Sequence, residues 1–278
     1  MHNILLIFIV FITVGLTACS SDKKEDVVSE TVSAPAKPVE DLYNEAANAL
    51  DNEEFSKAKG LFEEVERQYP YSKWATKAQL MSAYAAYQND SYDEAILAID
   101  RFIELHPGNE DIDYAYYLKA LAFYEQISDV ARDQAMTKQA MRAFDALINR
   151  FPNSEYVRDS KLKRDLTLDH LAGKEMEIGR YYLNRNQVNA AINRFRAVIK
   201  NFQTTTHVPE ALHRLTEAYL TLGLRTEAKR VAAVLGYNYP GSKWYEDSYK
   251  ILDEESRKEI MEDRSFIDKT VDSLFKPD

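Results

Sequence analysis

The residue with the most pointed chemistry is Cys19, the only cysteine in the 278-residue chain. It closes the run Leu16-Thr17-Ala18-Cys19, which matches the bacterial lipobox, small residues before a thiol. In that motif the sulfur is diacylated, the peptide bond before it is cut, and the new amine is usually acylated in turn. Upstream, Ile4 to Leu16 is an apolar run, shorter than the roughly 20 residues of a spanning helix and suited to the core of a signal peptide. Met1-His2-Asn3 departs from the usual pattern by lacking Lys and Arg. Residues 1–18 are therefore expected to be removed and Cys19 to be lipidated. Two or three acyl chains, at about 0.8 kcal/mol per buried CH₂, anchor a protein stably to a membrane. Ser20 follows the cysteine where an Asp would retain a lipoprotein on the inner membrane, so the expected place is the outer membrane, facing the periplasm. Residues 19–40, with Pro35 and Pro38, read as a flexible tether.

Other reactive constellations are missing. His207 and His213 are six apart with Pro209 between them, which is not the i, i+4 spacing that presents two imidazoles to one metal. There is no His-Glu-x-x-His, no Gly-x-Ser-x-Gly and no phosphate-binding loop. Acidic runs such as Asp51 to Glu54 and Asp253 to Glu255 read as solvated helix faces and caps. The chain is expected to be neither an enzyme nor a holder of a metal or cofactor. With 45 Asp plus Glu against 35 Lys plus Arg, its formal charge is −10, which argues against nucleic acid as a partner.

The elements that carry these residues are legible in composition and repetition. Only 8 Gly and 8 Pro accompany a 45% hydrophobic content, a balance that favours helices over the many turns of an all-β fold. A helix-ending punctuation recurs at Tyr69-Pro70, His106-Pro107, Phe151-Pro152, Phe202-Gln203 and Tyr239-Pro240. Twelve residues before its last position stand Ala58, Ala95, Ala140, Ala191 and Ala228. Four further on come Phe62, Ile99, Phe144, Phe195 and Ala232, then after three more Val65, Phe102, Leu147, Val198 and Leu235. A small residue lets two helices approach, and the residues four and seven later form one apolar stripe. This is the skeleton of the second helix of a tetratricopeptide (TPR) repeat. The matching small residues of the first helices are Ala46, Ala83, Gly179 and Thr216, with Ala120 in register once about eight residues are inserted between the helices of the third pair. The expected fold is all-α, a TPR solenoid of about five degenerate helix pairs, near 41–70, 76–107, 113–152, 172–203 and 209–240, within a domain spanning 41–245. One long helix is expected near 155–184. Ser72, Ser154 and Ser242 are placed to cap the next helices. Residues 246–278 read as a charged amphipathic helix, with Ile260, Ile267, Val271 and Leu274 on one side.

Several stretches are more specific than the TPR skeleton: the lipobox, Tyr69-Pro70-Tyr71-Ser72, Ala98 to Pro107, Asp113-Tyr114-Ala115-Tyr116-Tyr117, Arg132-Asp133-Gln134, Arg150 to Tyr156, and Tyr181-Tyr182 through Asn193-Arg194. Over roughly residues 16–245 the chain resembles the BamD family, the TPR lipoproteins of the outer-membrane β-barrel assembly machine. The resemblance implies a non-enzymatic assembly factor. Its partners would be a POTRA-bearing barrel insertase (BamA-like), other assembly lipoproteins and unfolded outer-membrane β-barrel proteins. It puts the insertase contact on Arg194, flanked by Asn193, in the C-terminal repeats, and substrate binding on the N-terminal repeats. Residues past about 250 extend beyond the likeness.

The TPR register assigns the inner groove of repeats one to three to Tyr43, Lys77, Tyr84, Tyr87, Tyr114, Tyr117 and Tyr124. Rings with phenol hydroxyls suit an extended peptide, stacking on its aromatics and hydrogen-bonding its backbone. Each tyrosine could instead pack between helices. A lipoprotein scaffold of cell-wall or pilus assembly would share the lipobox and the repeats, without needing Asp-Arg-Phe-Ile and Asp-Tyr.

Overall fold

Each repeat places an alanine where two helices touch, and in the computed structural model, which describes residues 37–262, these alanines are without exposure. The first pair is α1 (Val39–Asp51) and α2 (Phe55–Gln68), followed by α3 (Lys73–Gln88) with α4 (Tyr92–Leu105). The third is α5 (Ile112–Tyr124) with α6 (Ala135–Arg150), and α7 (Val157–Asn184) precedes α8 (Val188–Asn201). Next come α9 (Val208–Thr221), α10 (Arg225–Asn238), α11 (Lys243–Ile251) and α12 (Glu254–Glu262). Every helix through α10 packs on the next, and α1 touches α3, α3 touches α5 and α5 touches α7. The first helices of the first four repeats thus share one layer.

The repeated stripe is buried in every unit. Ala58, Ala95, Ala140, Ala191 and Ala228 are covered together with Phe62, Ile99, Phe144, Phe195 and Ala232, and Ala46, Ala83, Ala120 and Thr216 meet them from the first helices. The punctuation has a physical form as well. Tyr69, His106, Phe151, Phe202 and Tyr239 each end a second helix at φ between −127° and −134°. In each the backbone N–H still donates to the carbonyl four residues back, so the helix stops only after its last donor is satisfied.

Within a repeat the turn is also repeated, five residues before the second-helix alanine. Glu53, Asp90, Asn186 and Gly223 all have positive φ, 59°, 56°, 59° and 75°. Only one is a glycine, so three pay the cost that L-residues incur in the left-handed region. The third repeat replaces this turn by residues 125–134, the expected insertion. There the buried Gln134 donates through Nε2 to the carbonyls of Asp129, Val130 and Arg132 and accepts from Thr137 Oγ1. Lys174 of α7 donates to Ala131 O at 2.8 Å and ties the insertion to the long helix.

Three sequence expectations need adjustment. The repeats begin at Val39, taking the last two residues of the span assigned to the tether. Ser72 and Ser242 cap α3 and α11 by accepting from the N–H groups of Ala75 and Tyr245, but Ser154 instead accepts from Tyr156 N, and α7 starts after Tyr156. The segment from 246 is not one helix: α11 ends at Ile251, Leu252 is extended, and Asp253 caps a new helix by accepting from Ser256 N at 2.8 Å. Ile260 of α12 is buried on Ala232 and Ala233 of α10. Ile267, Val271 and Leu274 lie outside the described residues, as do Cys19 and the signal segment.

Candidate functional site

The layer of first helices gathers a row of phenol rings from α3, α5 and the residue that caps α7. Tyr84 of α3 lies 6.5 Å from Tyr114 of α5, centroid to centroid, Tyr114 lies 5.4 Å from Tyr156, and Tyr156 stacks on Tyr117 at 4.8 Å and 15°. Spacing explains it: Tyr114 and Tyr117 are three apart on α5 and therefore share a face, while Tyr156 stands at the start of α7. The row is held by hydrogen bonds at its edges. Tyr117 donates its hydroxyl to Asp159 Oδ2 at 2.6 Å, Lys163 donates to both Asp159 oxygens, and Gln88 donates to the Tyr84 hydroxyl at 2.6 Å. Burial against these rings pushes the Tyr114 and Tyr117 hydroxyls well above the ordinary phenol value, so both stay protonated donors. Burial raises Tyr87 likewise, and its ring meets Tyr92 edge-on at 5.7 Å. All of Tyr84, Tyr87, Tyr114, Tyr117 and Tyr156 keep part of their surface open. They form a ridged aromatic surface with hydroxyls for a peptide backbone.

One tyrosine assigned to the groove lies in the core instead. Tyr43 is 7% exposed, packed edge-on against Phe62 at 5.3 Å and against Trp74 at 4.7 Å, so it belongs to the core of the first repeat. Lys77 is exposed and places its ammonium 5.8 Å from the centre of that ring. It lines a separate cleft of about 620 Å³ with Lys73, Trp74, Phe102 and Asp111. Tyr124 packs edge-on to Phe144 at 6.0 Å and lines a third hollow beside α7. Tyr156, conversely, enters the row although the TPR register does not include it. The sign was the aromatic that follows three of the five helix ends, Trp74, Tyr156 and Trp244.

Arg194 sits near the middle of α8 with its side chain 41% exposed, one position before the buried Phe195. Its Nη1 donates to Glu175 Oε2 of α7 at 3.1 Å. Asn193 beside it is exposed.

A string of groups that could suggest nucleophilic catalysis runs between α9 and α11. Ser248 Oγ is 2.8 Å from His213 Nδ1, and His213 Nε2 is 3.5 Å from Glu217 Oε1. Ser248 is fully buried and His213 is 5% exposed, so no substrate carbonyl can reach the hydroxyl. The string fastens α11 to α9, with Trp244 5.2 Å from His213 and Arg214 over its ring. His213, then Arg214, hold the Glu217 carboxyl down at about 2 against the burial that would raise it. A depressed carboxylate stabilises the fold above its unfolded value near 4.5, and that stability is lost as pH falls through 2. Acidification from 4.5 toward 2 should therefore release α11, read as a change in Trp244 fluorescence in a Trp74→Phe background. Glu217→Gln should remove this acid step; an unaltered step would assign it to other carboxylates.

Among the described residues no group of three or more His, Cys, Asp or Glu could hold a metal, and no helix is long and apolar enough to cross a membrane. A family model described as outer membrane lipoprotein, YfiO, matches residues 35–235, which is most of the chain and all five repeats but the last turns. The chain belongs to this family. Its relatives include the outer membrane protein assembly factor BamD of Caulobacter vibrioides, 49% identical over 253 residues, or 91% of this chain and 82% of that protein. BamD of Rickettsia prowazekii is 47% identical over 249 residues, 89% of this chain and 96% of the relative. BamD of Neisseria meningitidis is 34% identical over 247 residues, covering 85% and 92%. The family's helical repeats account for the fold, and the tyrosine row and Arg194 both fall inside the matched span.

Proposed function

We propose that this chain is a non-enzymatic assembly factor for β-barrel proteins, held on the periplasmic face of the outer membrane by lipid on Cys19. Its N-terminal repeats receive unfolded outer-membrane β-barrel proteins. Its C-terminal repeats, through Arg194 with Asn193 beside it, hold the POTRA-bearing insertase, and further assembly lipoproteins join the same scaffold. The observation that carries this reading is the open row of tyrosines on the layer of first helices, Tyr84 to Tyr114 to Tyr156 to Tyr117. A strand ending in aromatic residues finds rings to stack on there, with the Tyr84 and Tyr114 hydroxyls for its carbonyls. The names of the relatives support the assembly role.

Replacing Tyr84 and Tyr87 together by Ala should weaken binding of a barrel targeting peptide by about 1 to 3 kcal/mol, since an aromatic pair contributes about 0.5 to 1.5 kcal/mol. Titration of a labelled peptide measures the loss, and circular dichroism should show the helices unchanged. Loss of helix at the same temperature would instead place these rings in the core beside Tyr43. The anchor has its own test. Cys19→Ala should leave an uncleaved or mislocalised precursor whose repeat domain still folds, because the lipid contributes nothing to the helix packing. Retention in the outer-membrane fraction with unchanged mass would remove the lipid from the proposal.

A further inference from the structure

The hollow beside Tyr124 is the larger of the clefts described above, about 770 Å³, and neither the tyrosine row nor Arg194 uses it. One wall is the third-repeat insertion, fixed by Gln134 and by the Lys174 bond to Ala131 O. The floor is α7, where Leu166, His170, Gly173 and Glu177 follow at spacings of four, three and four and so share one face. Gly173 lets the start of α9 close in on the floor, because a Cβ there would stand 3.1 Å from His207 Nε2.

Two properties define what could fill it. The first is apolar: Leu166 is 59% exposed on the floor, with Ile127 and Val130 on the wall. The second is charge. Glu125, Asp129, Asp169 and Glu177 line the cleft against a single guanidinium, Arg180, which is already bound to Glu210 at 2.9 Å. Lys174 reaches Glu177 only at 3.4 Å while donating to Ala131 O, and His207 stands 3.6 Å from Asp169. In addition, the His170 ring lines the cleft with its Nε2 screened from water and without a hydrogen-bond partner.

We infer that this cleft docks an extended segment of a partner protein in which Lys or Arg alternates with apolar residues. The apolar side chains cover Leu166, Ile127 and Val130, and the cations face Glu125, Asp129 and Glu177. An acidic segment or a chain-terminal carboxylate would meet four carboxylates and is rejected by the same charges. The site is separate from Arg194: Glu175, which holds that arginine, is two residues from Glu177 and thus about 200° around α7.

The test uses the full-length lipidated protein in detergent micelles and two labelled peptides, one alternating Leu and Val with Lys and Arg, its twin carrying Glu and Asp instead. Fluorescence anisotropy should show the basic peptide binding at least about tenfold more tightly than the acidic one. Leu166→Ser, at an exposed position where folding is not at risk, should weaken binding of the basic peptide several-fold by removing apolar contact without adding charge, and Asp129→Lys combined with Glu177→Lys should weaken it about tenfold. Tyr84→Ala with Tyr87→Ala should leave it unchanged, which separates failure here from failure of the substrate groove. Equal binding of both peptides overturns the inference. So does basic-peptide binding that survives these cleft substitutions, since that would be general attraction to a chain of net charge −10.

Discussion

Phe195→Ala is expected to cost about 3 to 5 kcal/mol of folding stability, the range for emptying a fully buried aromatic site. The ring is without exposure and sits at the centre of the core that joins α7, α8, α9 and α10. Its place depends on Gly179, where an added Cβ would stand 2.4 Å from Phe195 Cε1 and within 3 Å of two further ring carbons. No flexible end is available to move aside, because the obstacle is a rigid ring packed on all sides. Gly179→Ala should therefore destabilise by about 1 to 3 kcal/mol through overpacking. Phe195→Leu in the same chain should return part of that loss, so the two changes will not add. Urea unfolding of the single and double variants measures each term. A neutral Gly179→Ala would show that the helices do not approach closely here, and that the small residue of the fourth repeat has no steric role.

Such close approaches were legible because they repeat. The alanine, the residue four later and the residue seven later fix which face of each second helix is covered, and the structure buries that face in all five units. What repetition does not report is the neighbour supplied from elsewhere. Tyr43 holds a groove position by register, yet Phe62 from α2 and Trp74 from α3 close over it. Tyr156 holds none, yet the bend before α7 carries its ring onto Tyr117. The left-handed turn at Glu53, Asp90, Asn186 and Gly223 was hidden for a related reason, since three of its four residues are not the glycine that usually marks it. The break at Leu252 was hidden because a helical spacing of apolar residues continues across it, although Asp253 before Glu254 and Glu255 offered a capping signal. The cleft under the third-repeat insertion depends on Lys174 and Ala131 meeting across 43 positions, which no local pattern encodes.

Arg194 shows the same division between position and partner, and it carries the largest expected effect on binding. Its place one residue before Phe195 turns it about 100° from the buried stripe, toward the edge of the helix pair. The partner found there is Glu175, which takes one nitrogen of the guanidinium at 3.1 Å. With 41% of the arginine side chain and 25% of the glutamate exposed, this pair contributes at most about 1 kcal/mol to stability. Its effect is to orient the fork and leave donors over, which under the proposed function meet a carboxylate on a second protein, a geometry that lysine reproduces only in part. Under the proposed function, Arg194→Glu should abolish or sharply weaken co-purification of the POTRA-bearing insertase. The cost is about 2 to 5 kcal/mol if the intermolecular pair is desolvated, while the melting temperature stays nearly constant. Glu175→Gln separates orientation from contact. It keeps the cation and removes its guide, so binding should fall far less than with Arg194→Glu. A lysine replacing the acidic partner on the POTRA domain should restore binding to Arg194→Glu. Undiminished recovery of the insertase with Arg194→Glu would take this residue out of the interface and leave the contact to other surfaces of α8, α9 and α10.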